Sequence, residues 1–203
     1  MSQPSPRADG LPAGLRERKK LRTRLAIQEH ALRLFREQGY HETTVEQIAD
    51  AAEVSPSTFF RYFPAKEDVV LFDALDPVLI ESFRRQPAHL SPIQALREAF
   101  HEIFGALSAE MIDEQRQRGV LALNVPELQA AWIAELIRTA RMMADMLAER
   151  IGRAPNDPRV RMYTGALMGV ILAAMAPMLV DPEADYIADM DAALDFLEGG
   201  LEV

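Results

Sequence analysis

The sequence predicts an all-α protein of about nine helices, and three observations carry that expectation. Apolar residues recur at three- and four-residue steps through most of the 203 residues. Helix-starting signals (Ser-Pro, Asp-Pro, or Thr and Asp ahead of an apolar run) punctuate the chain. No stretch alternates polar and apolar residues for long enough to make a strand. Hydrophobic residues make up 49% of the chain and charged residues 26%, enough to bury a core and to exclude wholesale disorder. Cysteine is absent, so disulfides, thiolate catalysis, cysteine-ligated zinc and iron–sulfur clusters are excluded together.

Residues 1–14 are polar and rich in Pro, Ser and Gly. They read as a disordered leader rather than a signal peptide, which makes the cytoplasm the default compartment. The first helix is expected from Leu15 to Gln38, with Leu25, Ala31, Leu32, Leu34 and Phe35 on its apolar face and Gly39 as its stop. Thr43 or Thr44 caps a short second helix on which Val45, Ile48, Ala49 and Ala52 share a side, with Glu46 and Gln47 near enough to complete a capping box. Ser55-Pro56 starts the third helix, which Pro64 stops after Tyr62.

A long helix from about Lys66 carries Val69, Val70, Phe72 and Leu75, and Asp76-Pro77 bends or divides it. Further helices are expected at about 91–114, 126–151, 158–180 and 186–201. The 19 residues Met162–Val180 have no formal charge and are just long enough to span a bilayer. Tyr163, Thr164, Gly165, Gly169 and Pro177 within them favour the centre of a helical bundle instead.

The net charge of −9 is unevenly distributed. Residues 1–67 hold 11 basic and 9 acidic side chains, net +2, whereas residues 68–203 hold 11 and 22, net −11. Arg16, Arg18, Lys19, Lys20, Arg22 and Arg24 form a dense run opposed only by Glu17. A basic end on an acidic chain suits a polyanion bound locally; on charge alone a solvated helix start fits equally well.

Two short helices joined by a tight turn form the helix-turn-helix pattern. Ala49 is small enough for the helices to cross closely, Val54 plugs the turn, and Phe59 and Phe63 face inward. Pro56, Ser57, Phe60, Arg61 and Tyr62 are left to look outward. Such a helix fits the major groove of DNA and reaches base edges with its N-terminal residues. The stretch "ALRLFREQGYHETTVEQIADAAEVSPSTFFRYFPAKED" resembles the DNA-binding domain of the TetR family of bacterial transcription regulators over residues 24–67. Gly-Tyr before Thr-Thr-Val, then Ile-Ala, Val-Ser, the aromatic run to Phe63 and Lys66 agree in order and spacing.

That resemblance implies roles. Thr44 caps the second helix where a phosphate binds, Pro56 and Ser57 touch bases, and Thr58 and Tyr62 meet phosphate or base. Phe60 stands where the family has a DNA-contacting tyrosine, and Lys66 grips a phosphate; Arg61, from its place on the helix, points outward to the DNA backbone or to solvent. Two positions depart from the pattern. Glu53 stands where the family usually has Gly, which costs about 1–2 kcal/mol if the residue is left-handed. Phe60 lacks the hydroxyl, so a thymine-methyl contact replaces a hydrogen bond.

The implied architecture is a helix-turn-helix domain at residues 15–66 followed by a helical effector-binding and dimerisation domain at 67–203. Ile187, Met190, Leu194, Leu197 and Leu201 form an apolar seam with 3, 4, 3, 4 spacing. Gly165, Gly169, Ala173 and Ala176 put small residues along the preceding helix; together these resemble the family's four-helix dimer interface. Phe83, Phe100, Phe104, Leu107, Met111, Leu128, Trp132, Leu136 and Met143 are candidates to line an effector pocket, and the same residue types serve a core equally well. "FFRYF" and "VPELQAAW" are similar to regulators of the mycofactocin-system type, which implies a hydrophobic effector of acyl-CoA-like kind.

The expected partners are palindromic double-stranded DNA, a second copy of the chain and that effector, with no cofactor, no metal and no membrane. The expected activity is repression relieved by the effector. Rival readings are a DNA-binding architectural protein without an effector, and an all-α enzyme. Against the enzyme, His30, His41, His89 and His101 are scattered, His101-Glu102 lacks the second histidine of a zinc-protease motif, and neither a phosphate loop nor a serine elbow is present.

Overall fold

The computed structural model describes residues 14–200, so residues 1–13 of the expected leader and Leu201 of the expected seam lie outside the described residues. Those residues form ten α-helices and one 3-10 turn, with no strand among them. The helices are α1 Leu15–Gln38, α2 Val45–Ala51, α3 Pro56–Tyr62, α4 Glu67–Leu71 and α5 Asp76–Arg85, then α6 Pro92–Phe104, α7 Ala109–Asn124, α8 Pro126–Ile151, α9 Pro158–Met175 and α10 Tyr186–Glu198. The turn Ala176–Leu179 follows α9, where Pro177 cannot continue the helix.

α1 has the expected bounds, and Gly39 ends it at φ +92°, ψ 155°, a conformation open essentially to glycine alone. Its inward face is Ile27, Gln28, Ala31, Leu32 and Phe35, whereas Leu25 points away and is 39% exposed. One helix expected over 91–114 is in fact two. Gly105 closes α6, and Ser108 opens α7 by accepting the Met111 N–H (3.3 Å), so the chain turns and the helical run extends to Asn124. The long helix expected from Lys66 is divided before its proline. Phe72 is extended, Asp73 accepts the Leu75 N–H (2.8 Å), and only then does Asp76-Pro77 start α5.

Two large apolar cores result, with a small third cluster of Leu147, Ala148 and Val160 between α8 and α9. The first joins α1, α2 and α3 through Phe35, Ile48, Ala49, Phe59 and Phe63, and draws in Val69 and Val70 of α4, Ala122 of α7 and Leu128 of α8. It therefore crosses residue 66. The second core packs α5, α6, α8, α9 and α10 around Phe83, Phe100, Met143, Leu167, Met190 and Leu194. Arg150 pins the α5–α6 loop by donating to the carbonyls of Gln86 (3.3 Å), Pro87 (2.6 Å) and Leu90 (3.0 Å). Arg97 of α6 reaches Asp191 (2.7 Å) and Asp195 (2.9 Å) of α10.

The α2–α3 turn holds Glu53 at φ +54° with its side chain in water. Replacing it by glycine removes about 1–2 kcal/mol of left-handed strain and adds about 0.4–1 kcal/mol of unfolded-chain entropy. Glu53→Gly is therefore expected to raise stability by about 1 kcal/mol, read from the urea midpoint at unchanged slope.

Candidate nucleic-acid interface and the adjoining cavity

Thr44 caps α2: its hydroxyl accepts the Gln47 N–H (3.2 Å), and the Gln47 carboxamide oxygen accepts the Thr44 N–H (2.9 Å). The side chain stays exposed at the positive end of the helix. Thr43 is instead buried and donates to the Gly39 carbonyl (2.7 Å). Ser55 caps α3, accepting the Thr58 N–H (3.1 Å) and donating to the Thr58 hydroxyl (2.9 Å), with the Ser57 hydroxyl 3.0 Å away.

Phe59 and Phe63 are fully buried, which fixes the roll of α3. Pro56, Ser57, Phe60 and Arg61 then face water, while Thr58 and Tyr62 are half-buried. Phe60 stands edge-on against Phe59, ring centroids 5.4 Å apart, and the Arg61 guanidinium lies 5.3 Å from the Tyr62 centroid. An apolar ring, a hydroxyl and a guanidinium thus share one outward face on a short rigid helix.

Lys66 is engaged inside the protein. Its ammonium donates to the carbonyls of Tyr40 (2.8 Å) and Thr43 (3.0 Å) and sits 4.1 Å from the Tyr40 ring centroid. Two of its three protons hold the α1–α2 loop. Of the basic run, Arg16, Arg18, Lys19, Lys20 and Arg22 are exposed. Arg24 is not available: its guanidinium stacks on Phe72 (3.8 Å) and Phe63 (4.9 Å), and burial lowers its pKa against the pull of Asp68.

A cavity of about 220 Å³ lies between α4, α5, α6, α7, α8, α9 and α10. Phe100, Phe104, Trp132, Leu136 and Met143 line it, as expected from the sequence, together with Leu79, Ile80, Ile103, Met142, Met146, Met175 and Met178. Four expected residues do not. Phe83 is packed within the second core, and Leu128 sits in the first core at the joint with α8. Leu107 lies in the α6–α7 turn, and Met111 is 46% exposed on α7. Their residue types suit a pocket, but their faces of the helices point elsewhere.

The cavity has a polar side that the sequence does not reveal. Asp73 is paired with Arg118, Glu135 with Arg138, and Gln115 accepts from Arg118 (2.7 Å). Asp76 also lines the cavity. Burial first, then the neighbouring Asp73 carboxylate, push its carboxyl up to about 6, against the pull of Arg118 and Arg138. A second groove, lined by Arg24, Phe72, Arg138 and others, shares Leu71, Asp73, Asp76, Glu135, Thr139 and Met142 with the cavity wall.

The expected dimer residues divide into two groups. Gly165, Gly169 and Ala173 of α9 are exposed, and a Cβ added at either glycine meets nothing within 4 Å. On α10, Met190 and Leu194 are buried in the protomer's own core, with Ile187 and Leu197 packed against it. The apolar seam thus faces inward, and the outward face of α10 carries Ala188, Ala192 and Phe196 (48% exposed). The apolar run Pro158–Leu179 is explained in the same way. It passes the length and hydropathy test for a membrane span, yet its buried positions Val160, Thr164, Leu167, Val170 and Ala174 follow helical spacing against the core.

Comparison with known proteins places this geometry. Residues 27–71 match the family model described as bacterial regulatory proteins, tetR family, and residues 90–202 match the MftR C-terminal domain. The HTH-type transcriptional regulator TcmR of Streptomyces glaucescens is 38% identical, over 96% of this chain and 91% of that one. MftR of Mycobacterium tuberculosis, named for mycofactocin biosynthesis regulation, is 26% identical over 87% and 89%. Thermus thermophilus FadR, a TetR-family repressor solved with lauroyl-CoA, is 27% identical with a TM-score of 0.54, over 89% of this chain and 95% of that one. The SmeT–triclosan complex, 22% identical with a TM-score of 0.59 over 88% and 91%, shares the fold.

Two measurements check this geometry. Lys66→Met keeps the stem but loses both loop hydrogen bonds, and is expected to lower stability by about 1–3 kcal/mol in urea unfolding, as for hydrogen bonds to a charged group. The raised pKa of Asp76 means that the native state holds its proton more tightly than the unfolded chain. Its contribution to stability is therefore present in full below pH 4 and lost as pH rises through about 6. Asp76→Asn is expected to stabilise by about 3 kcal/mol at pH 7, with the gain vanishing below pH 4, since each pKa unit corresponds to about 1.4 kcal/mol.

Proposed function

The chain belongs to the TetR family of bacterial transcription regulators, whose members bind DNA as dimers and respond to small molecules, and from that premise we propose that it is a repressor released from a palindromic operator by a hydrophobic effector. It is a DNA-binding regulator rather than an enzyme. The observation that carries the proposal is the outward face of α3, held in one orientation by two fully buried phenylalanines.

Pro56 and Ser57, at the N-terminal end of α3, are the residues that reach base edges, with the Phe60 ring against a thymine methyl. Thr58, Arg61 and Tyr62 contact backbone or bases, and Thr44 with the remaining proton of Lys66 receives phosphate, which positions the helix without reading sequence. The exposed basic residues of α1 add attraction for the polyanion, while the acidic remainder of the chain keeps its distance.

A single short helix reads few base pairs, so specific binding needs two reading heads a helical turn of DNA apart, or a multiple of it. The exposed faces of α9 and α10 supply the pairing surface. Gly165 and Gly169 each weaken the helix interior by about 1 kcal/mol, a cost that close approach of a second helix beside the small Ala173 offsets. An effector entering the cavity displaces α4, whose other side belongs to the first core, and the two heads fall out of register with the groove. A coupling of about 1–3 kcal/mol is sufficient for such control. The acyl-CoA complex of the FadR relative supports a hydrophobic effector. Cytoplasmic location follows from the DNA target.

Selection of bound sequences from random DNA is expected to return an inverted repeat; enrichment of no defined site would overturn the proposal. Gly169→Glu leaves the protomer fold intact, because nothing faces that position. It is expected to give a monomer by sedimentation and to weaken operator binding at least a hundredfold. A Gly169→Glu dimer with unchanged affinity would place the pairing surface elsewhere.

A further inference from the structure

The charged side chains around the cavity are matched in pairs, with one exception. Asp73 has Arg118, and Glu135 has Arg138. Among the described residues the Asp76 carboxyl has no ion pair and no hydrogen bond; burial and the through-space charges of Asp73, Arg118 and Arg138 act on it. Tyr186 lines the same space, and after burial the nearest influences raising its pKa are the carboxylates of Asp73 and Asp76. The cavity is otherwise walled by Phe, Met, Leu and Ile. A mostly apolar chamber therefore holds one carboxylate without a direct partner, felt only through space by Arg118 and Arg138, just after the α4–α5 connection.

We propose that the effector is an organic cation, a mainly apolar molecule whose protonated amine rests on the Asp76 carboxylate. This rests on the reading of the cavity as the effector site, and it specifies the chemistry of that site. A half-buried carboxylate with no direct partner is less favourable than one paired with a cation. An ammonium group supplies the missing countercharge and hydrogen bonds, so a cation gains from the site what an alcohol gains only in part. A carboxylate, or the phosphates of a coenzyme A ester, meets like charge at the same point. Burial and the neighbouring Asp73 carboxylate, which raise the carboxyl pKa of Asp76, are both offset by a cation seated beside it. Asp76 also opens α5 immediately after the α4–α5 connection, so an amine seated there acts directly on the segment that joins the cavity to α4.

The test uses four probes with one apolar body: n-octylamine, n-octanol, n-octanoate and octanoyl-CoA. Trp132, the sole tryptophan of the sequence, lines the cavity and reports binding to the full chain by its fluorescence. Octylamine is expected to bind at least tenfold more tightly than octanol, octanoate or octanoyl-CoA. Asp76→Asn, its fold checked by circular dichroism, is expected to lose at least tenfold for the amine and to stay within twofold for octanol, while Asp76→Glu restores the preference. Tighter binding of octanoate or octanoyl-CoA, or an amine preference that survives Asp76→Asn, overturns the cationic assignment. If either anionic probe then also releases the protein from its selected DNA, the cavity remains the effector site and only its proposed chemistry falls. Binding by none of the four overturns both.

Discussion

The carboxamide of Gln28 decides how the two halves of this molecule are joined. From the middle of α1 it donates to the carbonyls of Val69 (2.8 Å) and Phe72 (2.7 Å), at the end of a helix only five residues long. A helix terminus leaves carbonyls without intrahelical partners, and burial makes each of them costly to leave unpaired. One side chain satisfies two of them and so fixes where α4 stops. Val69 and Val70 are fully buried in the core of the first three helices, while Val70 and Leu71 also line the cavity. The shortest helix of the fold is thus shared between the core beneath α3 and the wall of the cavity. A displacement on one side has no slack in which to dissipate.

Function follows from that economy. α3 presents its outward face because Phe59 and Phe63 leave it no other roll, and Lys66 ties the α1–α2 loop to the start of α4. Arg24 stacks on Phe63 and Phe72, so the same connection is braced from α1. On the cavity side, Arg118 of α7 holds Asp73, and Asp76 follows at the first turn of α5. Charges that look like surface decoration in the sequence sit at the joint between the first three helices and the cavity.

The first three helices were legible almost to the residue, because their caps are local chemistry. Thr44 with Gln47, Ser55 with Thr58 and Gly39 after Gln38 each act within a few residues. The strained Glu53 was legible as well, since a tight turn needs a left-handed residue whatever occupies it. The lining of the cavity and the orientation of α10 were only half legible. Periodicity shows that Met190 and Leu194 share a face with Ile187 and Leu197; it does not say whether that face meets the protomer's own α6 and α9 or a second chain. The quieter signal was Ala188, Ala192 and Phe196 on the opposite side, small residues with one ring. Leu128 and Phe83 show the same limit, for an apolar side chain in a bundle is equally at home in a core or a cavity wall. The break at Gly105–Ser108 was missed because apolar spacing on both sides masks a turn whose cap is a single serine. Asp76 was read as a helix breaker, and its place at the cavity appears only once α7 and α8 are brought against it.

The central claim is that α4 opens and closes with the reading domain, through Gln28, as one cooperative unit. Native-state hydrogen exchange at the amides of Val69, Val70 and Phe72, compared with those of Phe59 and Phe63, tests it most directly. The account predicts equal opening free energies for the two sets, and loss of protection in α4 ahead of α3 when Gln28 is replaced by alanine. Independent exchange of α4 in the unmodified protein, or unchanged protection in Gln28→Ala, would contradict it.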